Sequence, residues 1–383
     1  MSFDELYDPL YEAGDQVHYI NDPTATVTFF CKNVHIKKEQ REIPELIGLL
    51  KEFEKYFLKD YEDDLIKNDM SKHYYSFYIP KSNGKMRKID APTDELKTAL
   101  RTLKDIFQNN CGVLYHTSAF AYIKKRQTLG AVKKHQRNKS KWFMKFDFSD
   151  FFGSTTFDFV WSQMSKIYPF SSIMKSVAGR DVLHKCIRLC FLNGVLPQGT
   201  PISPLITNIM MIPIDFKICN ELTKERFIYT RYADDMIISH RYTFDSVFQH
   251  GHIDTHGRDG CEQVEKIITD ILKEEDAPFA LNKKKTRYGS SSGHNFLFGV
   301  IINKDDNITI GHKNKKLFKA TLHNYIFSKQ KGEPWELGAV QSLNGKISYY
   351  KSIEPKAIDE IIENYNTKFN INIRDMLKKD LST

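Results

Sequence analysis

The feature that most constrains the fold is Phe227–Ser239, F-I-Y-T-R-Y-A-D-D-M-I-I-S. Two runs rich in β-branched and aromatic residues flank Tyr232-Ala233-Asp234-Asp235, which predicts a hairpin with an acidic pair at its turn. A second stretch, Lys141–Phe148 (K-W-F-M-K-F-D-F), alternates Trp142, Met144, Phe146 and Phe148 against Lys141, Lys145 and Asp147, the period of a strand. Phe143 breaks that alternation, so the polar-looking face should be half covered. Aspartate is disfavoured in strands, so Asp147 among aromatics needs a reason. Taken singly, each motif has an ordinary explanation: a strand-end Asp bonded to a turn amide, or an exposed Asp-Asp turn. If the two strands are neighbours in one sheet, Asp147 lies close to Asp234, with Asp235 beside them. Three like charges in one place are costly unless a cation sits between them. Oxygen-only ligands suit Mg2+, with Mn2+ as a substitute, and a pair of such ions serves in-line phosphoryl or nucleotidyl transfer.

Charge along the chain is uneven. The 383 residues carry a formal +8, yet residues 1–70 hold 16 acidic and 8 basic residues, which leaves +16 on the remainder. That shift places a boundary near residue 70. Within the acidic segment Leu46, Leu49, Leu50, Phe53, Tyr56 and Phe57 recur at helical spacing, predicting an amphipathic helix over 44–60. The most basic stretch, Ala121–Phe146, has nine Lys/Arg and no acid, among them Lys124, Lys125, Arg126, Lys133, Lys134 and Arg137. A solvated face or a polyanion partner explains it equally well. Further on, Phe318, Leu322, Tyr325 and Ile326 mark a helix whose other face holds Lys315, Lys316 and Lys319. Six scattered cysteines without a C-x-x-C pair argue against a disulfide framework or zinc knuckle. Asp4, Glu5 and Asp8 are the wrong start for a secretory signal, and no apolar run approaches membrane-spanning length. The expectation is a soluble, cytoplasmic protein without a membrane partner. His250, His252, His256 and Cys261 have no spacing that fits a closed zinc site and read as a polar loop.

Y-A-D-D between hydrophobic strands, preceded by F-D-F-S-D-F-F, closely resembles the palm motifs of reverse transcriptases. Tyr78–Leu96 is similar to the fingers motif of the bacterial enzymes. Leu196–Asn208 (L-P-Q-G-T-P-I-S-P-L-I-T-N) resembles their Q-G-x-x-x-S-P motif, and Ala280–Arg287 their Lys-bearing palm segment. Phe296–Gly299 resembles the hairpin that grips the primer, and Ser342–Pro355 the thumb of retron and related enzymes. The resemblance spans about residues 74–360. It implies an α+β right-hand polymerase: an acidic, largely helical segment at 1–70, interleaved fingers and palm at 71–303, and a helical thumb at 304–383. The antiparallel palm sheet would carry the catalytic Asp residues.

Carried onto this chain, the resemblance implies that Asp147, Asp234 and Asp235 are catalytic and hold two Mg2+ ions, with the Phe148 carbonyl as an extra ligand. Phe152 falls at the sugar-gate position, where a rigid ring leaves no room for a 2′-hydroxyl; Phe151 is the candidate one register away. Lys81 and Arg87, or Lys85 in place of Lys81, would meet the incoming triphosphate. Gln198 and Gly199 would pack on that nucleotide, with glycine allowing close backbone approach. Lys285 would protonate the leaving group, or belong with Lys283 and Lys284 to a solvated run. Lys124, Lys125, Arg126, Lys133, Lys134 and Arg137, and on the thumb Lys315, Lys316 and Lys319, would grip nucleic-acid phosphates.

The implied partners are an RNA template, a DNA primer or product, and dNTPs. Two places depart from the retron pattern: G-A-V-K-K-H at 130–135, and Leu297-Phe298-Gly299 where retrons have V-T-G. The resemblance is therefore read as pointing to a related bacterial enzyme of the phage-defence kind, with a dedicated non-coding RNA as template. Two other readings stay open: template-independent or protein-primed synthesis on the same fold, and a catalytically silent RNA-binding scaffold.

Overall fold

The computed structural model describes residues 32–80, 84–111, 115–241, 259–290, 295–303 and 305–382. They fall into two compact units. The first takes the described residues up to Gln127, Met144–Ser239, and the described part of Phe244–Tyr288. The second takes Thr128–Phe143, the described part of His240–Thr243, and the described residues from Gly289 onward. This division does not follow the expected stretches 1–70, 71–303 and 304–383. In the second unit, helix Thr128–Arg137 buries Ala131, Val132 and His135 and packs on strands β8 (Val300–Ile302) and β9 (Ile308–Thr309). In the first unit, the helix expected over 44–60 packs directly on other helices of that unit.

That helix runs over Lys32–Phe53 and continues as a π-helical turn at Glu54–Leu58 and a 3-10 turn at Lys59–Tyr61. It packs on helices Asp94–Asn110 and Val177–Arg188, and Lys185 Nζ reaches Glu54 Oε1 at 2.7 Å. Leu46, Leu50 and Phe53 are buried at helical spacing, but the next buried residue is Leu58. The wider π turn adds a residue to the repeat and rotates the apolar line. Tyr56, expected on that line, is instead 69% exposed. Helix Asp94–Asn110 begins where Thr93 accepts from the Leu96 amide, with Asp94 and Glu95 in its first turn. Its buried face is Leu96, Ala99, Leu100, Leu103 and Phe107.

Strands β1 (Tyr74–Pro80) and β2 (Met86–Pro92) form an antiparallel ribbon. The central sheet has the order β4-β5-β3-β6, from β3 (Trp142–Asp147), β4 (Ile228–Tyr232), β5 (Asp235–His240) and β6 (Arg287–Ser290). Phe143, Met144 and Phe146 are buried, while Lys145, on the same face as Phe143, is half-buried, so the polar-looking face of β3 is only partly covered.

In the second unit β7 (Asn295–Leu297), β8 and β9 form a three-stranded sheet. The β7–β8 turn places Phe298 and Gly299 at φ 50° and 89°, the left-handed pair that a tight hairpin turn requires. Four helices follow: His312–Gln330, Leu337–Ile353, Pro355–Phe369 and Ile373–Ser382. Phe318, Leu322, Tyr325 and Ile326 are buried, as their spacing predicts. No described helix is long and apolar enough to cross a membrane.

Candidate active site

The hairpin forms as its sequence demands, with Tyr232 opposite Asp235 and Ala233-Asp234 as the connection. Asp235 is thus the first residue of β5. Because β5 lies next to β3, the turn meets the end of β3, where the Phe148 amide donates to the Asp234 carbonyl at 3.3 Å. Asp147, 5% exposed, closes β3, and its carbonyl accepts from the Asn282 amide at 2.8 Å. The three aspartates are brought together. Burial raises the Asp234 carboxyl above the usual range, and the charges of Asp147 and Asp235 raise it further. Asp235 is also raised by burial, against the opposing pull of Lys145.

Two lysines offset this acidity. Lys285 Nζ donates to both oxygens of Asp147, at 2.8 and 3.0 Å, and Lys145 Nζ lies 3.2 Å from Asp235 Oδ1. Lys285 therefore leaves the solvated run and enters the acidic cluster, whereas Lys283 is 87% exposed. Lys145 was expected only as part of the basic stretch; its i, i+2 relation to Asp147 on β3 was the available clue. Carboxylates that raise one another's pKa are the donor chemistry of a hard divalent cation. Among the described residues, no three acidic, His or Cys side chains converge closely enough to hold a metal ion as arranged. Both lysine contacts occupy oxygens that such an ion would need.

The turn itself is held from beneath. Ala233 has φ 57°, a left-handed conformation that costs a non-glycine residue about 1–2 kcal/mol. Its carbonyl accepts from Arg231 Nη1 at 3.0 Å. Arg231 is completely buried and makes a two-pronged bond to Asp215, Nε to Oδ1 at 2.8 Å and Nη2 to Oδ2 at 2.7 Å. Tyr229 Oη donates to the same carboxylate at 2.8 Å. Asn208 accepts from Arg231 Nη1 at 3.2 Å and donates to the Ala121 carbonyl at 2.6 Å. The next residue, Tyr122, is 53% exposed. Its hydroxyl pKa is raised by burial and by the charges of Tyr232 and Asp234, with Arg87 acting the other way. Arg231, Asp215 and Tyr122 all escaped sequence reasoning.

The remaining candidates separate clearly. Phe151 is 3% exposed and stacks on Phe148 at 5.1 Å, with Phe279 edge-on at 4.9 Å, so it belongs to the core. Phe152 is half-buried, which makes it the one of the pair able to face a substrate. Gly199 has φ 132°, and a Cβ there would meet Ile89 Cγ2 at 2.7 Å and the Asp90 carbonyl at 2.9 Å. The close approach that glycine permits is to β2, where the Asp90 amide also donates to the Gln198 carbonyl at 2.8 Å. Arg87 and Lys85 are exposed. Lys81, His250, His252 and His256 lie outside the described residues, as does the side chain of Cys261.

Two residues expected to bind phosphate have partners within the protein. The Arg126 guanidinium is spent on the main-chain carbonyls of Tyr115, His116 and Ala119. Lys315 is paired with Glu354 at 2.7 Å. Arg126's partners are main-chain carbonyls, which carry no charge to count, and Lys315's lies 39 residues further along the chain. Lys124, exposed, donates to Asn109 at 3.0 Å; Lys125, Lys133 and Arg137 are exposed and Lys134 is half-buried. Lys316 and Lys319 are exposed on the helix His312–Gln330.

The model of the reverse transcriptase (RNA-dependent DNA polymerase) family matches residues 79–302, more than half of the chain and all of the elements just described around the aspartates. The chain belongs to the reverse transcriptase family. Its similar relatives include the Escherichia coli retron Ec83 reverse transcriptase, 24% identical over 312 residues that cover 79% of this chain and 90% of that protein. The E. coli retron Ec73 reverse transcriptase is 28% identical over 298 residues, covering 75% and 85% respectively. The Myxococcus xanthus retron Mx162 enzyme is 25% identical over 299 residues, 75% of this chain and 59% of that one. As a family member the chain is an RNA-directed DNA polymerase with a right-hand polymerase fold of mixed helices and sheets. The departures at 130–135 and 297–299 had pointed away from retrons, yet these relatives are retron enzymes. Among solved structures, telomerase from Candida albicans aligns over 82% of this chain and 58% of its own, at 12% identity and a TM-score of 0.43. A likeness at that score adds nothing to the assignment.

Proposed function

We propose that this reverse transcriptase makes cDNA by two-metal nucleotidyl transfer, with Asp147, Asp234 and Asp235 as the catalytic carboxylates. The observation that carries the reading is the pairing of β3 with β5, which puts a buried Asp147 beside the Asp234–Asp235 turn. These three residues, with the Phe148 carbonyl, would hold two Mg2+ or Mn2+ ions. When bound, such ions activate the attacking hydroxyl and steady the leaving group.

The protein's own groups supply the rest. Lys285 Nζ, on a side chain 57% exposed, stands at Asp147 and is free to turn outward and hand a proton to departing pyrophosphate. Lys145, paired with Asp235, would help to position that carboxylate. Arg87, with Lys81 or Lys85, would bind the triphosphate, and Gln198 and Gly199 would form the wall on which the nucleotide packs. Phe152 would exclude a 2′-hydroxyl. Lys124, Lys125, Lys133, Lys134 and Arg137, and on the thumb Lys316 and Lys319, would bind the phosphates of template and primer. The template is assigned to a cognate non-coding RNA and the setting to an anti-phage system, on the strength of the motif resemblance.

The test is primer extension by the purified chain with labelled dNTPs or rNTPs, Mg2+, and a primed RNA template. Extension with dNTPs that depends on the template supports the reading. Equal incorporation without template overturns it in favour of untemplated synthesis. Sequencing the RNA that co-purifies from cells checks the template: a heterogeneous RNA pool counts against a dedicated one.

A further inference from the structure

Helix His312–Gln330 carries five lysines and no acidic residue. Two of the five are taken up within the unit: Lys315 by Glu354 and Lys329 by Asp380, each at 2.7 Å. The others leave their charge on the surface, where four rings form a strip across this helix and helix Pro355–Phe369. His323 stacks on Phe327, with centroids 6.0 Å apart and planes at 18°. Phe369 meets His323 edge-on at 6.0 Å, and Tyr365 stacks on Phe369 at 5.9 Å and 24°. Tyr365 Oη donates to the Lys319 carbonyl at 3.1 Å, which locks the two helices in register. Lysines stand over the rings: Lys331 Nζ is 4.4 Å from the Phe327 centroid and Lys368 Nζ is 5.3 Å from that of Phe369. Phe327 is 47% exposed and His323 is exposed.

The acids of helix Pro355–Phe369 are on its other side. Asp359, Glu360 and Glu363 line a cleft shared with Lys351 and Arg374, and Asp359 is paired with both of those cations. Charge is therefore sorted across this helix, leaving the ring-bearing side cationic. A bare apolar strip would suit a protein or a lipid surface. Rings with ammonium groups over their faces suit a polyanion that has flat π faces of its own. A duplex hides those faces in its stack, and an unpaired strand offers them.

We propose that this strip is a docking surface for unpaired RNA, with bases stacking at Phe327 and Phe369 while Lys331 and Lys368 move onto phosphates. The choice of RNA over DNA rests on the RNA-copying reading: a polymerase of this kind must hold RNA not yet copied.

The test uses the full chain and a 15-residue oligouridine bearing one 4-thiouridine. Photo-crosslinks are expected in the peptides containing Phe327 or Phe369. Phe327→Ala should remove the first of these and weaken oligouridine binding on the order of tenfold, the loss of one stacked base. Binding of a blunt RNA duplex, and extension of a short primed template, should not change in that variant. Neutralising both lysines, Lys331→Gln with Lys368→Gln, should flatten the salt dependence by about 1.4 in logarithmic slope. Crosslinks that map only elsewhere overturn the proposal. So does a Phe327→Ala variant that keeps its RNA affinity but dissociates from dimer to monomer in sedimentation, which would make the strip a contact between copies. Failure of the RNA-copying reading shows separately, as no RNA-templated extension by the unmodified chain, and removes RNA as the occupant.

Discussion

Replacing Arg231 with methionine separates what this buried guanidinium does for the fold from what it does for the catalytic turn. Arg231 and Asp215 are both fully buried. Removing one partner of such a pair leaves an uncompensated charge in the core and costs about 3–5 kcal/mol. Domains have only about 5–15 kcal/mol in total, so Arg231→Met alone should lower the denaturation midpoint sharply. Adding Asp215→Asn removes the stranded charge while keeping an acceptor for Tyr229 Oη. The double variant should recover to within about 2 kcal/mol of the parent. Catalysis should not recover with it, because the Ala233 carbonyl still lacks its donor and the left-handed turn has lost its brace. A charge-assisted hydrogen bond is worth about 1.5–3 kcal/mol, which corresponds to a rate roughly ten- to a hundredfold lower. The assays are urea denaturation and single-turnover primer extension at saturating RNA. If extension returns together with stability, Arg231 serves the core alone and its positioning role is refuted.

Three further outcomes follow from the site. Asp234→Asn should abolish extension, leave RNA affinity nearly unchanged, and raise the thermal midpoint of the metal-free chain near neutral pH. A carboxyl whose folded pKa is raised binds an extra proton in the folded state, so its contribution to stability falls as pH rises from about 3.9 through the raised value. The variant should flatten that limb of the metal-free melting curve, and a lower midpoint at neutral pH would count against mutual repulsion. Phe152→Ala should admit ribonucleotides at little cost in stability, whereas Phe151→Ala should lose about 3–5 kcal/mol from its buried stack; extension with rNTPs and denaturation midpoints distinguish them. Lys285→Gln should slow single-turnover extension on the order of 100-fold with RNA affinity within twofold, and an unchanged rate returns Lys285 to the solvated run.

What could be read from sequence was whatever depends on near neighbours. The hairpin at Tyr232–Asp235, the strand ending at Asp147, and the buried face Phe318, Leu322, Tyr325 and Ile326 all follow from short-range periodicity. The resemblance then linked the two acidic motifs, and the structure sets their strands side by side. Pairings set by the tertiary fold were not legible. Arg231 sits on a strand as an ordinary polar residue until Asp215, on a preceding helix, meets it in the core. Arg126 looked like a phosphate ligand because its neighbours are basic, but three carbonyls from a turn upstream claim it. Lys285 could not be told from Lys283 and Lys284 without knowing that Asp147, 138 residues earlier, lies within reach of its ammonium group. The π turn at Glu54–Leu58 likewise has no periodic signature, since a single added residue looks like noise in the apolar pattern.

The membership of Thr128–Phe143 in the second unit bears on the order in which a ribosome can finish this molecule. Gln136 donates to the Asp306 carbonyl at 2.6 Å across 170 residues of chain. At synthesis rates of about 5–20 residues per second, that helix waits on the order of 10–30 s for its partners to emerge. During the wait Ala131, Val132 and His135 have nothing from β8 or β9 to cover them. No single cut in the chain yields the second unit whole, so producing it alone would require joining 128–143 to the C-terminal stretch by a new linker. Nascent chains arrested before residue 300 should be the stage at which a chaperone finds this protein.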